Sequence, residues 1–172
     1  MKFEQEIIKE VPIDDSTDIK EKQLLYREIK KLKPKVVVET GTHRGLTTLY
    51  MAHALWENGG GHIHTADPFE WGAKGNFRKF PELEEHITYY QIPGKELEID
   101  KIDFLFIDGF HEKQEVLDEI DALFPKLNKK AHVYFHDTNG SNPSCDVIGA
   151  IEERGLKVKY LKTKNGMAHY VH

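Results

Sequence analysis

At 172 residues with 39% apolar content, the chain has material for one sizeable core and too little for two domains. Its 24 Lys and Arg against 29 Asp and Glu leave a formal net charge of -5, which argues against nucleic acid or an anionic membrane surface as the main partner. A single cysteine, Cys145, excludes an internal disulfide, and residues 1–6 have neither the basic region nor the apolar run of a secretion signal, so the expected location is cytoplasmic. The longest stretch without Asp, Glu, Lys or Arg, residues 45–56, falls far short of the roughly 20 residues of a membrane span and contains His53.

No repeat or low-complexity tract divides the chain, so residues 1–172 are expected to form one unit, with residues 1–33 as an N-terminal arm and helix. That helix, residues 20–33, has Leu24, Leu25, Ile29 and Leu32 at helical spacing, Ser16, Thr17 and Asp18 as cap candidates, and Pro34 as its stop. The β-branched run at 35–40 predicts a buried strand of a parallel sheet. A helix from Gly45 to Trp56 follows, with Trp56 read as core, and then a strand at 62–66 ending at Asp67 and Pro68.

An irregular stretch to Phe80 precedes strands at 87–92 and 102–107, the latter apolar on both faces. Residues 112–127 form the clearest helix, with Val116, Leu117, Ile120, Leu123, Phe124 and Leu127 on one side. A strand at 131–135, a short helix at 146–154, and two strand-like runs at 156–163 and 167–172 complete the chain. Asn165 and Gly166 between the last two runs signal a hairpin turn. The alternation predicts an α/β, doubly wound, Rossmann-like sheet of seven mostly parallel strands that ends in an antiparallel hairpin. Lys157, Lys159, Lys162 and Lys164 read as protection of a sheet edge rather than a basic binding stripe.

Ligands of such sheets bind beyond the carboxyl ends of the strands. The first strand ends Glu39-Thr40-Gly41-Thr42-His43-Arg44-Gly45. Gly41 permits a sharp turn, and Gly45 opens a helix whose free amides suit polar or anionic groups. Asp67, 22 residues past Gly45, stands at the spacing where an acid meets the ribose hydroxyls of an adenosine cofactor. The bland alternative is a tight turn plus a capping aspartate. A nicotinamide dinucleotide is disfavoured, because Thr42 and His43 occupy the place of the second glycine that admits a pyrophosphate.

The wording from Val38 to Gly45, followed by Ala66-Asp67-Pro68-Phe69, Phe106-Ile107-Asp108-Gly109-Phe110-His111 and Phe135-His136-Asp137, resembles the class I S-adenosylmethionine-dependent methyltransferases, within them the bacterial small-molecule and sugar O-methyltransferase branch. The resemblance runs from about Pro34 to the end. It implies that Glu39 lies near the amino-acid end of S-adenosylmethionine, that Gly41, Thr42 and Gly45 line its turn, that Asp67 holds the ribose and that Asp108 borders the site. By the same resemblance Asp108, His136 and Asp137 are candidate ligands of a divalent ion, magnesium or manganese, and His111 with Asp108 carries the catalysis, His111 as general base.

His136 stands where the sugar enzymes have an acid, and Thr138 where the catechol enzymes have an amide. This either moves the metal preference toward manganese, iron or zinc or means that no metal binds. The plainer alternative has Asp108 and Asp137 capping strand ends while the histidines bond locally. The aromatic and glycine-rich residues 69–77 are expected to be a lid, an acceptor wall or an anchored loop, His53 to be packed or on the surface, and Cys145 to be incidental. The acceptor is expected to be a hydroxyl of a small molecule or sugar, bound in a pocket that is open or completed by a second copy of the chain. A nicotinamide-dependent oxidoreductase and a catalytically silent cofactor-binding module are the competing functions.

Overall fold

The computed structural model describes residues 2–13, 18–140 and 145–172. The first strand, β1 (Val36–Thr40), is buried on both faces, because valine after valine leaves no polar side to offer solvent. It pairs in parallel with β2 (His62–Ala66) on one side and β4 (Ile102–Ile107) on the other. Asp103 fixes the start of β1 by accepting the Lys35 and Val36 amides at 2.8 and 3.0 Å. With β3 (Ile87–Tyr90), β5 (Leu127–His136), β6 (Lys159–Leu161) and β7 (Met167–Val171) the sheet runs in the order β3-β2-β1-β4-β5-β7-β6. The first five strands in that order are parallel, and β7 is antiparallel to both β5 and β6. The expected seven-stranded sheet with its terminal hairpin is therefore present.

One face of the sheet is covered by α1 (Lys2–Glu10), α2 (Ile19–Leu32) and α3 (Leu46–Glu57), the other by α6 (Lys113–Leu123) and α7 (Val147–Glu153). Asp18 caps α2 by accepting from the Lys20 amide at 2.9 Å, whereas Ser16 and Thr17 lie outside the described residues. Helix α3 is buried almost all round, as its apolar composition requires.

Several boundaries differ from the sequence reading. The N-terminal arm is a helix, α1, whose Ile7 and the following Val11 are buried in the core. The irregular stretch to Phe80 holds α4 (Ala73–Phe77), and α5 (Pro81–Glu84) follows it. Strand β5 begins four residues early and keeps its partner through a register shift between Ile102 and Phe104. Trp56 is not core: it is 41% exposed and leans against Phe3, while His53 one turn earlier takes the buried place. Lys157, Lys159, Lys162 and Lys164 are exposed along or beside the edge strand β6. Among the described residues no helix is long and apolar enough to cross a membrane.

Candidate active site

The order of the strands reverses between β1 and β4, so the loops that leave these two strands part and open a crevice at their carboxyl ends. A cavity of about 560 Å³ lies there. Gly41, with φ of 84°, turns the chain at its floor, and a Cβ at this position would lie 1.9 Å from the carbonyl oxygen of Asp108. Only glycine lets the β1 and β4 loops approach this closely. Gly45, with φ of 79°, answers a different need: its missing side chain leaves room for the Phe77 ring, and it does not line the cavity.

Thr42 lines the cavity and shares a hydrogen bond with Thr65, so its hydroxyl ties the β1 loop to β2. Asp67 lines it at the end of β2 and accepts the His43 amide at 2.8 Å on one oxygen and the Phe69 amide at 2.9 Å on the other. Each carboxylate oxygen has a second lone pair, so the capping role and the ribose role expected from the sequence are compatible. Glu39 does not reach the cavity wall. It is fully buried beneath it, where one oxygen accepts from Thr48 and Thr65 and the other has no partner among the described residues. Burial pushes its carboxyl up to about 8, against the two threonine hydrogen bonds, so it is mostly neutral at pH 7.

At the ends of β4 and β5 four expected residues converge. His136 Nδ1 lies 2.8 Å from Asp108 Oδ1 and 3.3 Å from Asp137 Oδ1, while His111 places Nε2 3.3 Å from Asp108 and Nδ1 3.4 Å from Asp137. The short approach of His136 Nδ1 to Asp108 lacks the alignment of a hydrogen bond, and no other hydrogen-bond partner for this buried nitrogen lies among the described residues. Burial opposes charge on all of these groups, yet their mutual attraction prevails. The two histidines hold Asp108 well below the usual carboxylate range, the Asp108 charge and the Glu21 hydrogen bond lift His136 to about 10, and Asp108 with Asp137 raises His111.

Three residues here escaped the sequence reading, and a fourth, Cys145, was expected to be incidental. Glu21, on α2 and 1% exposed, accepts from His136 Nε2 at 2.9 Å, and it also takes the backbone amide and the side-chain amide of Asn165 in the β6–β7 turn, each at 3.1 Å. Lys22, the next residue, lines the cavity. Glu119 on α6 is raised by burial to about 8 and accepts from the Thr40 hydroxyl at 2.9 Å. Cys145 comes beside His111 and Asp137, so it is not remote from the chemistry. Burial and the Asp137 charge push its thiol up, which makes it a poor nucleophile. Of the 69–77 stretch, Phe69 and Trp71 stand about half exposed at the cavity, with Phe110 across from them on the β4 loop, whereas Phe77 is packed.

The chain matches a family profile described as a methyltransferase domain over residues 38–138. No curated protein sequence matches it significantly. Among solved structures it superposes on a provisionally named O-methyltransferase from Klebsiella pneumoniae with a TM-score of 0.78 at 19% identity, covering 98% of this chain and 89% of that one. An O-methyltransferase from Bacillus cereus, solved in complex with SAH, gives 0.73 at 16% identity, covering 100% and 91%. An SAH-bound methyltransferase from Podospora anserina gives 0.76 at 14% identity, covering 98% and 85%. At these identities the structures speak for a shared fold. The profile spans β1 to the end of β5, the segments that build the crevice, and on that ground the chain belongs to the methyltransferase-domain family.

Proposed function

We propose that the protein transfers a methyl group from S-adenosylmethionine to a hydroxyl of a small-molecule acceptor. The observation that carries this reading is one cavity bordered by Asp67 at β2 and by Asp108, His111, His136 and Asp137 at β4 and β5, with the Gly41 turn between them. The donor supplies an electrophilic methyl on a sulfonium. Asp67 receives the ribose hydroxyls, Gly41 lets the amino-acid end lie close to the backbone, and the carboxylates at the β4 and β5 ends suit the sulfonium charge. In-line displacement gains several orders of magnitude from positioning alone, so the protein needs little beyond orientation and proton removal. His111 takes the hydroxyl proton, with Asp108 beside it to stabilise the imidazolium. The exposed Phe69, Trp71 and Phe110 form an apolar mouth for the acceptor. The similarity to structures described as O-methyltransferases supports the choice of oxygen.

The donor set also fits a divalent cation. His136 offers a buried Nδ1 without a hydrogen-bond partner among the described residues and with carboxylate oxygens of Asp108 and Asp137 beside it, and Glu21 accepts a hydrogen bond from Nε2–H, the contact that commonly orients a metal-binding imidazole. Asp108 and His136 would hold the ion, with Asp137 beside His136 rather than grouped with Asp108, and it would polarise the acceptor hydroxyl. Imidazole and carboxylate together suit manganese or another first-row ion better than magnesium. Calorimetric titration with S-adenosylhomocysteine and with NAD, side by side, tests the donor: the former binds and the latter does not. Preferential binding of NAD would replace this reading by an oxidoreductase, and donor binding without turnover on any hydroxyl acceptor by a silent module.

A further inference from the structure

Lys22 stands out among the cavity-lining cations. Its side chain is 10% exposed, and among the described residues its sole ion-pair neighbour is Glu21, at 4.0 Å, the outer limit of such a pair. Among the described residues no hydrogen bond satisfies the ammonium. Lys95, also at the cavity, shows the contrast, because it holds Glu115 and Asp118 at 2.9 Å each. An ammonium withdrawn this far from water needs an anionic partner with good geometry, and the described residues give Lys22 none.

Its place in the fold says which anion belongs there. Lys22 lines the cavity together with Gly41 after β1 and Asp108 after β4, which places it at the crevice between these strands. Asp67 stands at β2, one strand from β1 and two from β4, roughly 5 and 10 Å away across the sheet. A donor anchored by its ribose at Asp67 and extended across Gly41 brings its amino-acid end over β1 and β4. The other charged groups lining this end, Asp108 and Asp137 with His111 and His136, lie against one another, so none of them is left to receive a carboxylate.

We propose that Lys22 is the binding residue for the α-carboxylate of the methyl donor. This rests on the reading of the cavity as an S-adenosylmethionine site and assigns one end of it. The residue comes from α2, ahead of the segment that matches the family profile, so the N-terminal helices complete the donor pocket as well as cover the sheet. Besides Lys95, which is held by Glu115 and Asp118, Arg44 on the β1 loop, half-buried, also lines the cavity.

The test is calorimetry with S-adenosylhomocysteine and with its decarboxylated analogue, which keeps the adenosine and the amine but lacks the carboxylate. Lys22→Met weakens S-adenosylhomocysteine about ten- to a hundredfold and leaves the analogue within about threefold, while Lys22→Arg retains most of the affinity. Equal weakening of both ligands by Lys22→Met would mark the residue as structural and overturn the assignment, as would no change in either. Selective loss in Arg44→Met with none in Lys22→Met would overturn it in favour of Arg44. If the wild-type protein bound neither ligand, the donor reading itself would fall, and the assignment with it.

Discussion

Glu21 and His136 are 115 residues apart in sequence and joined at 2.9 Å through the imidazole Nε2, in a place where Glu21 is 1% exposed. The bond fastens α2 to the end of β5, and the second Glu21 oxygen fastens the same helix to the β6–β7 turn through Asn165. Removing the carboxylate leaves the buried Nε2–H of His136 without its acceptor, with Asp108 still beside Nδ1. Glu21→Ala is therefore expected to cost about 3–5 kcal/mol, the usual penalty for breaking a buried ion pair from one side. Urea unfolding of the two proteins measures it, and a difference below about 1 kcal/mol, the level of an exposed pair, would show that the contact contributes little.

Asp67 holds two loops by their backbone amides and is proposed to bind the ribose. Asp67→Ala is expected to weaken S-adenosylhomocysteine by about ten- to a hundredfold, the cost of a charged hydrogen bond. Asp67→Asn keeps acceptor capacity on one oxygen and falls between. Equal affinity in wild type and Asp67→Ala would leave the residue as a loop cap only.

For His111 the direction of the shift sets the pH dependence. Its proton is held more tightly than in a free imidazole, by Asp108 and Asp137, against the effect of burial. A base works only when neutral, so turnover should rise with pH through a midpoint above the ordinary value of about 6.5. His111→Ala is expected to lower turnover by about 10² to 10⁴ with donor affinity nearly unchanged. Wild-type turnover in His111→Ala would pass the role to another group.

Metal and proton compete for His136 Nδ1. With the imidazole lifted to about 10 by its carboxylate neighbours, binding of a divalent ion at neutral pH must release a proton, so affinity should increase as pH rises from 7 toward 9. Manganese should restore activity after chelation at least as well as magnesium, and Asp108→Ala should abolish the response. Full activity in the presence of chelator would take the ion out of the mechanism.

Glu39 predicts a dependence of stability on pH. Its folded value, about 8, lies above the ordinary carboxyl value of about 4.3, so the folded state binds the proton more tightly than the unfolded chain. The stabilisation is complete below the unfolded value and is lost as pH rises through 8. Glu39→Gln, neutral at every pH, should therefore show a flatter stability profile between about pH 4.5 and 8 in denaturant titrations. Glu119, also raised to about 8, contributes in the same direction and remains in both proteins.

The sequence by itself determined the sheet and one border of the site. Three successive valines, the apolar run at 102–107 and the Asn165-Gly166 turn are local patterns, and local patterns decide which backbone becomes a buried strand or a hairpin. Gly41 and Asp67 were legible for the same reason, since both sit where a strand must end. Tertiary structure decided the rest. In Ile19-Lys20-Glu21-Lys22 the charges look like the solvated start of an amphipathic helix, and nothing local says that two of them turn inward to meet β5 and the cavity. Glu39 and Gly45 belong to the same turn as Gly41 but face the protein interior, because the direction of a side chain at a strand end depends on what packs over it, here Thr48, Thr65 and Phe77. The burial that makes Glu39, Glu119 and His136 chemically unusual arises only when α2, α3 and α6 close over the sheet, bringing together groups that the chain holds far apart.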